Sequence, residues 1–300
     1  MQVSSASALR LSDRGEAAAS ALPPLLVQAE KIAASVIMGV HGRKAAGPGE
    51  SFWQYRPYVF GDSTQRIDWH RSARADGVYI RENEWENANT LWVWANTSPR
   101  MDYQSHLSSV TKLERAQLLA LAMASLAVRG HERVGALGSL RQAAHGRAAL
   151  TRLAEHIAEK REESLPRASN LQRRAATVLF SDFLDPLPDL KQALGALAAT
   201  GTKGHLVQIV DPAEEALPFD GRIEFLGFDL PQTYLARKTE NLRADYARAY
   251  GAHRNALREL TRAIGWSFLV HRTDQPLSSA LLPLHLQVGG AGQRGRERFS

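Results

Sequence analysis

The chain has 300 residues, 44% hydrophobic and 23% charged, the composition of a soluble globular protein long enough to bury a full core without a disulfide or a structural metal. It contains no cysteine, which excludes thiol catalysis, cysteine-ligated zinc and disulfides. The net charge of +6, from 37 Lys and Arg against 31 Asp and Glu, is mildly basic, and the arginines are spread along the chain rather than gathered into the patch a nucleic-acid binder usually shows.

Met1 to Ala21 lacks the cationic start and apolar run of a signal peptide. The longest nearly apolar stretch, Leu118 to Val128, is far short of the roughly 20 residues that span a bilayer. It reads as a buried helix, and the expected location is the cytoplasm. Residues 1–24 read as a loosely ordered segment, and Pro23 and Pro24 precede a helix over Leu25 to Met38. Gly39 to Gly49 is a basic loop carrying Arg43 and Lys44. Residues 51–86 interleave Trp53, Tyr55, Tyr58, Phe60, Trp69, Tyr79 and Trp85 with arginines. Short strands and turns are expected there, including a strand over Val78 to Glu86 with Glu82, Glu84 and Glu86 on one face. Residues 25–88 are therefore grouped as a helix plus a small β-rich subdomain.

From Thr90 the pattern becomes α/β. Strands are expected at Leu91–Ala95, Arg133–Leu137, Ala175–Phe180, His205–Val210, Arg222–Phe228 and Trp266–His271. Helices are expected at Lys112–Arg129, Ala148–Glu163, Leu187–Ala199, Tyr234–Ile264 and Leu277–Leu286. This alternation implies an open, mostly parallel sheet with helices on both faces, over residues 89–288. Residues 289–300 read as a flexible basic tail, and the Gly/Arg run from Gly289 to Arg298 as a solvated end rather than a nucleic-acid arm.

Several catalytic signatures are missing. There is no G-x-x-x-x-G-K-[ST], no H-E-x-x-H and no G-x-S-x-G, and Gly47-Pro48-Gly49 follows no strong strand. One constellation remains. Asn96-Thr97-Ser98-Pro99-Arg100 directly follows one apolar strand, and Ser181-Asp182 follows another. Ligand sites of open α/β sheets form at the carboxyl ends of strands. Asn, Ser and Asp also end strands routinely, so position alone serves both readings equally.

The segment from Arg56 to Arg74 carries a longer pattern: Arg56 and Tyr58 in R-x-Y, Gly61-Asp62, then Arg66, Asp68 and Trp69 in R-x-I-D-W, and Arg74 in A-R. It resembles the signature of the domain of unknown function 58 family, associated with MoxR-type ATPases. The resemblance extends over roughly residues 25–288. It implies a von Willebrand A-like domain, of a kind that commonly carries a metal-ion-dependent adhesion site. It also implies a non-enzymatic scaffold that works with a MoxR-like AAA+ ATPase in assembling or activating client proteins. The signature residues then serve either as an internal ion-pair network or as a docking surface for a partner, on which arginines and aromatics are enriched.

The family's D-x-S-x-S loop here reads Asn96-x-Ser98-x-Arg100, with Asp182 matching the later carboxylate. Magnesium needs carboxylate charge to offset its dehydration, so magnesium is disfavoured as a cofactor. A +1 guanidinium about 4 Å from a divalent ion is repelled by roughly 8 kcal/mol at an effective dielectric of about 20, an upper bound for an extended side chain able to turn away. The expectation is a degenerate site without metal or catalytic residue, in which Arg100 pairs with Asp182, or else a solvated Arg100. The competing readings are a metal-dependent hydrolase using Asp182 with Asp185 or Asp211, and a nucleic-acid binder using the distributed arginines.

Overall fold

A computed structural model of the chain describes residues 28–37, 52–57, 72, 74, 78–83, 90–159, 163–168, 171, 175–227 and 233–293. Two compact units divide the chain: residues 40–88, and residues 1–39 with 89–300. In the smaller unit, β1 (Phe52–Pro57) pairs antiparallel with β2 (Tyr79–Asn83), with an irregularity between Phe52 and Gln54.

In the larger unit, helix α1 (residues 28–37) is followed by β3 (Thr90–Ala95), α2 (Lys112–Arg129), β4 (Arg133–Ala136), α3 (Gly146–Ala158) and β5 (Ala176–Ser181). Next come α4 (Leu187–Ala199), β6 (Lys203–Val210) and a short α5 (Pro212–Ala216). The chain continues through β7 (Ile223–Leu226), β8 (Thr233–Ala236), α6 (Arg243–Ala263), β9 (Ser267–Arg272) and α7 (Ser278–Gln293). Five strands form one parallel sheet in the order β4-β3-β5-β6-β9.

The sheet is covered on both faces, so its central strands are apolar throughout rather than alternating. Val178 and Phe180 of β5 join one core with Ala33 of α1, Leu119 and Met123 of α2, Leu153 of α3 and Leu281 of α7. Leu179 between them points to the opposite core, built with Leu190 and Leu194 of α4 and Leu257 of α6. Helix α1 thus shares its core with the sheet, although chain order groups it with the β-rich stretch. The apolar run of α2 is buried from Leu118 to Ala127. Among the described residues no helix is long and apolar enough to cross a membrane.

Two expectations need correction. The long helix expected from Tyr234 begins only at Arg243. Tyr234, Leu235 and Ala236 belong instead to β8, which pairs antiparallel with β7 in a ribbon separate from the main sheet. The final helix does not stop at Leu286. It runs through Pro283 to Gln293, with Val288 still in the core, so burial there outweighs the poor helix propensity of the glycines that follow. Residues 294–300 lie outside the described residues.

Candidate functional site

The chain runs from β3 outward to β4, then returns across β3 to β5 on its other side. The connections therefore diverge between β3 and β5, and a crevice opens at the carboxyl ends of those two strands. Asn96 and Asp182 stand on either side of it. The Asn96 backbone N–H still donates to the Phe180 carbonyl at 2.8 Å, which carries the ladder one residue beyond the strands and fixes both loops.

The Asn96 side chain is fully buried and committed on both ends. Its Nδ2 donates to Ser181 Oγ at 2.9 Å and its Oδ1 accepts from the Ser98 backbone N–H at 2.9 Å. This local turn sends the chain into the single helical turn Pro99–Met101, which carries Arg100 inward. On the other side Phe183 takes a left-handed φ of 49°. Such a backbone costs a non-glycine residue about 1–3 kcal/mol and persists only when its surroundings hold it. Here its N–H donates to Ser181 Oγ at 3.2 Å, and its carbonyl accepts from His253 Nε2 at 2.7 Å.

Between the two loops lies a buried cluster of charges. Arg100 Nη2 approaches Asp182 Oδ1 at 3.1 Å. The same guanidinium forks onto Asp185, with Nη1 donating to Oδ1 at 3.0 Å and Nη2 to Oδ2. Ser164 Oγ also donates to Asp185. The second oxygen of Asp182 accepts from Lys112 Nζ at 3.1 Å, and Lys112 also reaches Glu214 Oε1 at 2.5 Å. The Asp182 carboxylate is therefore clamped by two cations, one on each oxygen.

Lys112 is the first residue of α2 and only 2% exposed. A cation at the positive end of a helix is unfavourable, and burial by itself would lower its pKa. Asp182 and Glu214 outweigh both effects and raise it, so Lys112 stays charged. The carboxyl of Glu214 is pushed up by burial against the opposing pull of Lys112. Two cations, Arg100 and Lys112, thus face three carboxylates, Asp182, Asp185 and Glu214. Tyr103 stacks its ring 5.6 Å from Lys112 Nζ. Burial, then Asp211 and Glu214, push its phenol up to about 12.

The next shell leads toward α6. Gln208 donates to the Asp182 carbonyl at 3.0 Å, Arg254 Nε donates to Gln208 Oε1 at 3.1 Å, and Arg254 pairs with Glu215 at 2.6 Å. Asp211 is held apart from Asp182 by a different duty. It caps α5 in a reciprocal box with Glu214 and accepts the Ser105 backbone N–H at 3.0 Å.

All four residues singled out at this crevice, Asn96, Ser98, Arg100 and Asp182, are brought together. Lys112 and Glu214 escaped sequence reasoning. The available signals were a lysine directly after the Thr111 cap, and the Asp211-x-x-Glu214 capping pattern. Of the signature residues, Arg56 lies in β1 opposite Ile80 and Arg74 is an exposed turn residue. Tyr58, Gly61, Asp62, Arg66, Asp68 and Trp69 lie outside the described residues.

The cluster does not fit a divalent ion. Asp182 offers no oxygen without first losing a cation, Asn96 Oδ1 is taken by a backbone N–H, and Asp185 is held by Arg100. Ser98 Oγ is buried without a hydrogen-bond partner among the described residues, but a lone neutral hydroxyl does not replace the one or two carboxylates through which magnesium is usually held. No group of three or more His, Asp or Glu suited to a metal occurs among the described residues.

Residues 54–256 match the family described as "Protein of unknown function DUF58". Uncharacterized proteins of Mycobacterium tuberculosis strain H37Rv and of Mycobacterium bovis are each 26% identical over 280 residues, covering 86% of this chain and 85% of theirs. An uncharacterized Mycobacterium avium protein is 32% identical over 104 residues, or 35% of this chain and 60% of its own. Among solved structures, the conserved hypothetical protein BatB from Bacteroides thetaiotaomicron overlaps with a TM-score of 0.34 at 11% identity, over 68% of this chain and 99% of that one. An aerotolerance-related membrane protein from Bacteroides fragilis overlaps with a TM-score of 0.34 at 14% identity, over 67% and 99%.

Proposed function

We propose, from the premise that this chain belongs to the DUF58 family, that it is a non-enzymatic interaction protein of the cytoplasm whose adhesion-type site is closed by its own cations. In this reading the larger unit is a von Willebrand A-like domain. The parallel five-stranded sheet and the placement of Asn96, Ser98, Arg100 and Asp182 at its switch point support that assignment. In a metal-dependent site an ion would bridge the domain to a carboxylate of its partner. Here Arg100 and Lys112 together bring two positive charges onto Asp182. That clamp is the observation that carries the reading. Partner recognition then proceeds through the surface above the clamp, without a metal bridge.

The partner in this reading is a MoxR-like AAA+ ATPase, with the chain contributing docking rather than chemistry. The hydrolase alternative finds its three carboxylates already engaged: Asp182 and Asp185 in ion pairs and Asp211 in a helix cap. Affinity capture with the full chain as bait, from the cell that makes it, tests the proposal. The expected result is a complex with an AAA+ ATPase whose recovery depends on nucleotide. A captured set without any AAA+ ATPase contradicts it.

A further inference from the structure

The loop between β4 and α3 contributes no residue to the charge cluster. It folds back along β4, which is an edge strand of the main sheet. Val134 and Ala144 exchange backbone hydrogen bonds at 2.8 and 3.0 Å. Arg133 Nη2 donates to the Ala143 carbonyl at 2.7 Å, and the Leu137 N–H donates to the Val93 carbonyl at 2.9 Å. Both ends of the loop are therefore pinned to the sheet. At its tip Leu140 is 91% exposed.

A cavity of about 20 Å³ lies between this loop, β4 and α3. Its polar lining comes from Ser139, Arg141, Gln142 and Arg152, and no carboxylate lines it among the described residues. From Gly138 to Ala154 the chain carries three arginines, Arg141, Arg147 and Arg152, and no Asp or Glu. All three are exposed, and none has an ion pair among the described residues. Arg147 stands in the first turn of α3, which has neither a side-chain cap nor an acidic residue there. A cation at that end of a helix is unfavourable, so the local potential is positive and unrelieved. Two guanidinium side chains that share one cavity repel each other, and an anion between them turns that repulsion into attraction.

The size of the cavity limits what enters. A single water needs roughly 10–15 Å³ of such space, so this one admits the tip of a carboxylate but not a ring or a nucleotide base. A guanidinium fork matches a carboxylate in geometry as well as charge. We propose that the cleft docks a partner protein by one acidic side chain, seated between Arg141 and Arg152, with an apolar neighbour of that acid packed on Leu140. A second copy of this patch is a poor occupant, because a two-fold contact sets the same surface against itself, arginine to arginine. The inference goes beyond the clamp, to which none of these residues belongs.

The test uses the full chain and three fluorescein-labelled dodecapeptides of glycine and serine. Their centres carry Glu-Leu-Glu, Gln-Leu-Gln or phosphoserine-Leu-phosphoserine. Anisotropy titration should show the glutamate peptide binding at least tenfold more tightly than the glutamine peptide. Arg141→Gln with Arg152→Gln should remove that preference, with unchanged circular dichroism, and Leu140→Ser should weaken the glutamate peptide severalfold. Arg248→Gln with Arg262→Gln, on the exposed side of α6, lowers the net charge equally and should leave binding unchanged. No binding of the glutamate peptide, or an equal loss in both double variants, overturns the proposal. So does tighter binding of the phosphoserine peptide that depends on Arg141 and Arg152, which assigns the cleft to a phosphoryl group. A concentration-dependent dimer in sedimentation that Arg141→Gln with Arg152→Gln abolishes assigns it to a second copy and also overturns the proposal.

Discussion

At the carboxyl edge of the sheet, Lys112 is 2% exposed and Arg100 is 9% exposed, while on the β7–β8 ribbon Leu226 is 71% exposed. One region buries full charges, which is rare unless they are paired, and the other leaves leucines in water, which is ordinary for a protein surface. The buried region pairs its charges within the fold, its cations and carboxylates coming from β3, β5 and β6 loops and the start of α2. On the ribbon Leu226 and Leu235 are exposed, and Arg222 and Arg237 have no ion pair among the described residues. The two regions therefore differ in kind: a closed internal network speaks for a fixed arrangement of the crevice, and the exposed ribbon adds no comparable constraint.

The largest expected effect breaks the closed half. Lys112→Met leaves Asp182 and Glu214 facing each other without their shared cation. Removing one partner of a buried pair typically costs about 3–5 kcal/mol, so urea unfolding should show a loss of stability of that size. Adding Glu214→Gln to Lys112→Met should recover part of it, because one uncompensated carboxylate is then gone. A shift no larger than that of an exposed lysine would mean that the cluster is not closed.

The interior also predicts a pH dependence that the ribbon does not. Burial lowers His205 from 6.5 to about 4, against the opposing influence of Gln287, and lowers His271 from 6.5 to about 4 with Arg115 adding to the effect. As pH falls below about 6.5 the unfolded chain takes up protons at these positions before the folded one does. Stability is then lost between about pH 6.5 and 4, by up to an order of 3 kcal/mol per histidine. Unfolding curves at pH 7 and pH 5 should differ in that direction, and a His205→Gln, His271→Gln variant should lose most of the difference. The smallest effect belongs to the ribbon. Leu226→Ser should change stability by no more than about 0.5 kcal/mol, because that side chain is 71% exposed.

Much of the sheet is legible in the sequence for a physical reason. The apolar runs at Leu91–Ala95 and Ala175–Phe180 are bounded by polar residues, and both faces of a parallel strand are buried. Helix α2 announces itself by an apolar stretch too long for a strand. The ribbon is illegible for the opposite reason. The run Thr233–Ala236 has four residues and no buried stripe, and it leads through a 3-10 turn at Thr239–Asn241 into α6, so it reads as the start of that helix. At the crevice, Asn96, Arg100 and Asp182 are found because they follow strands. Lys112 is missed because lysine at a helix start reads as solvated, and only the three-dimensional approach of Asp182 and Glu214 explains why it is buried.

In the proposed reading, Arg100 and Lys112 stand on Asp182 in place of a divalent ion. Calorimetric titration of manganese into the native chain and into an Asp182→Ala variant tests it most directly. The clamp predicts no saturable heat in either protein. Micromolar manganese binding to the native chain that disappears in Asp182→Ala would contradict it.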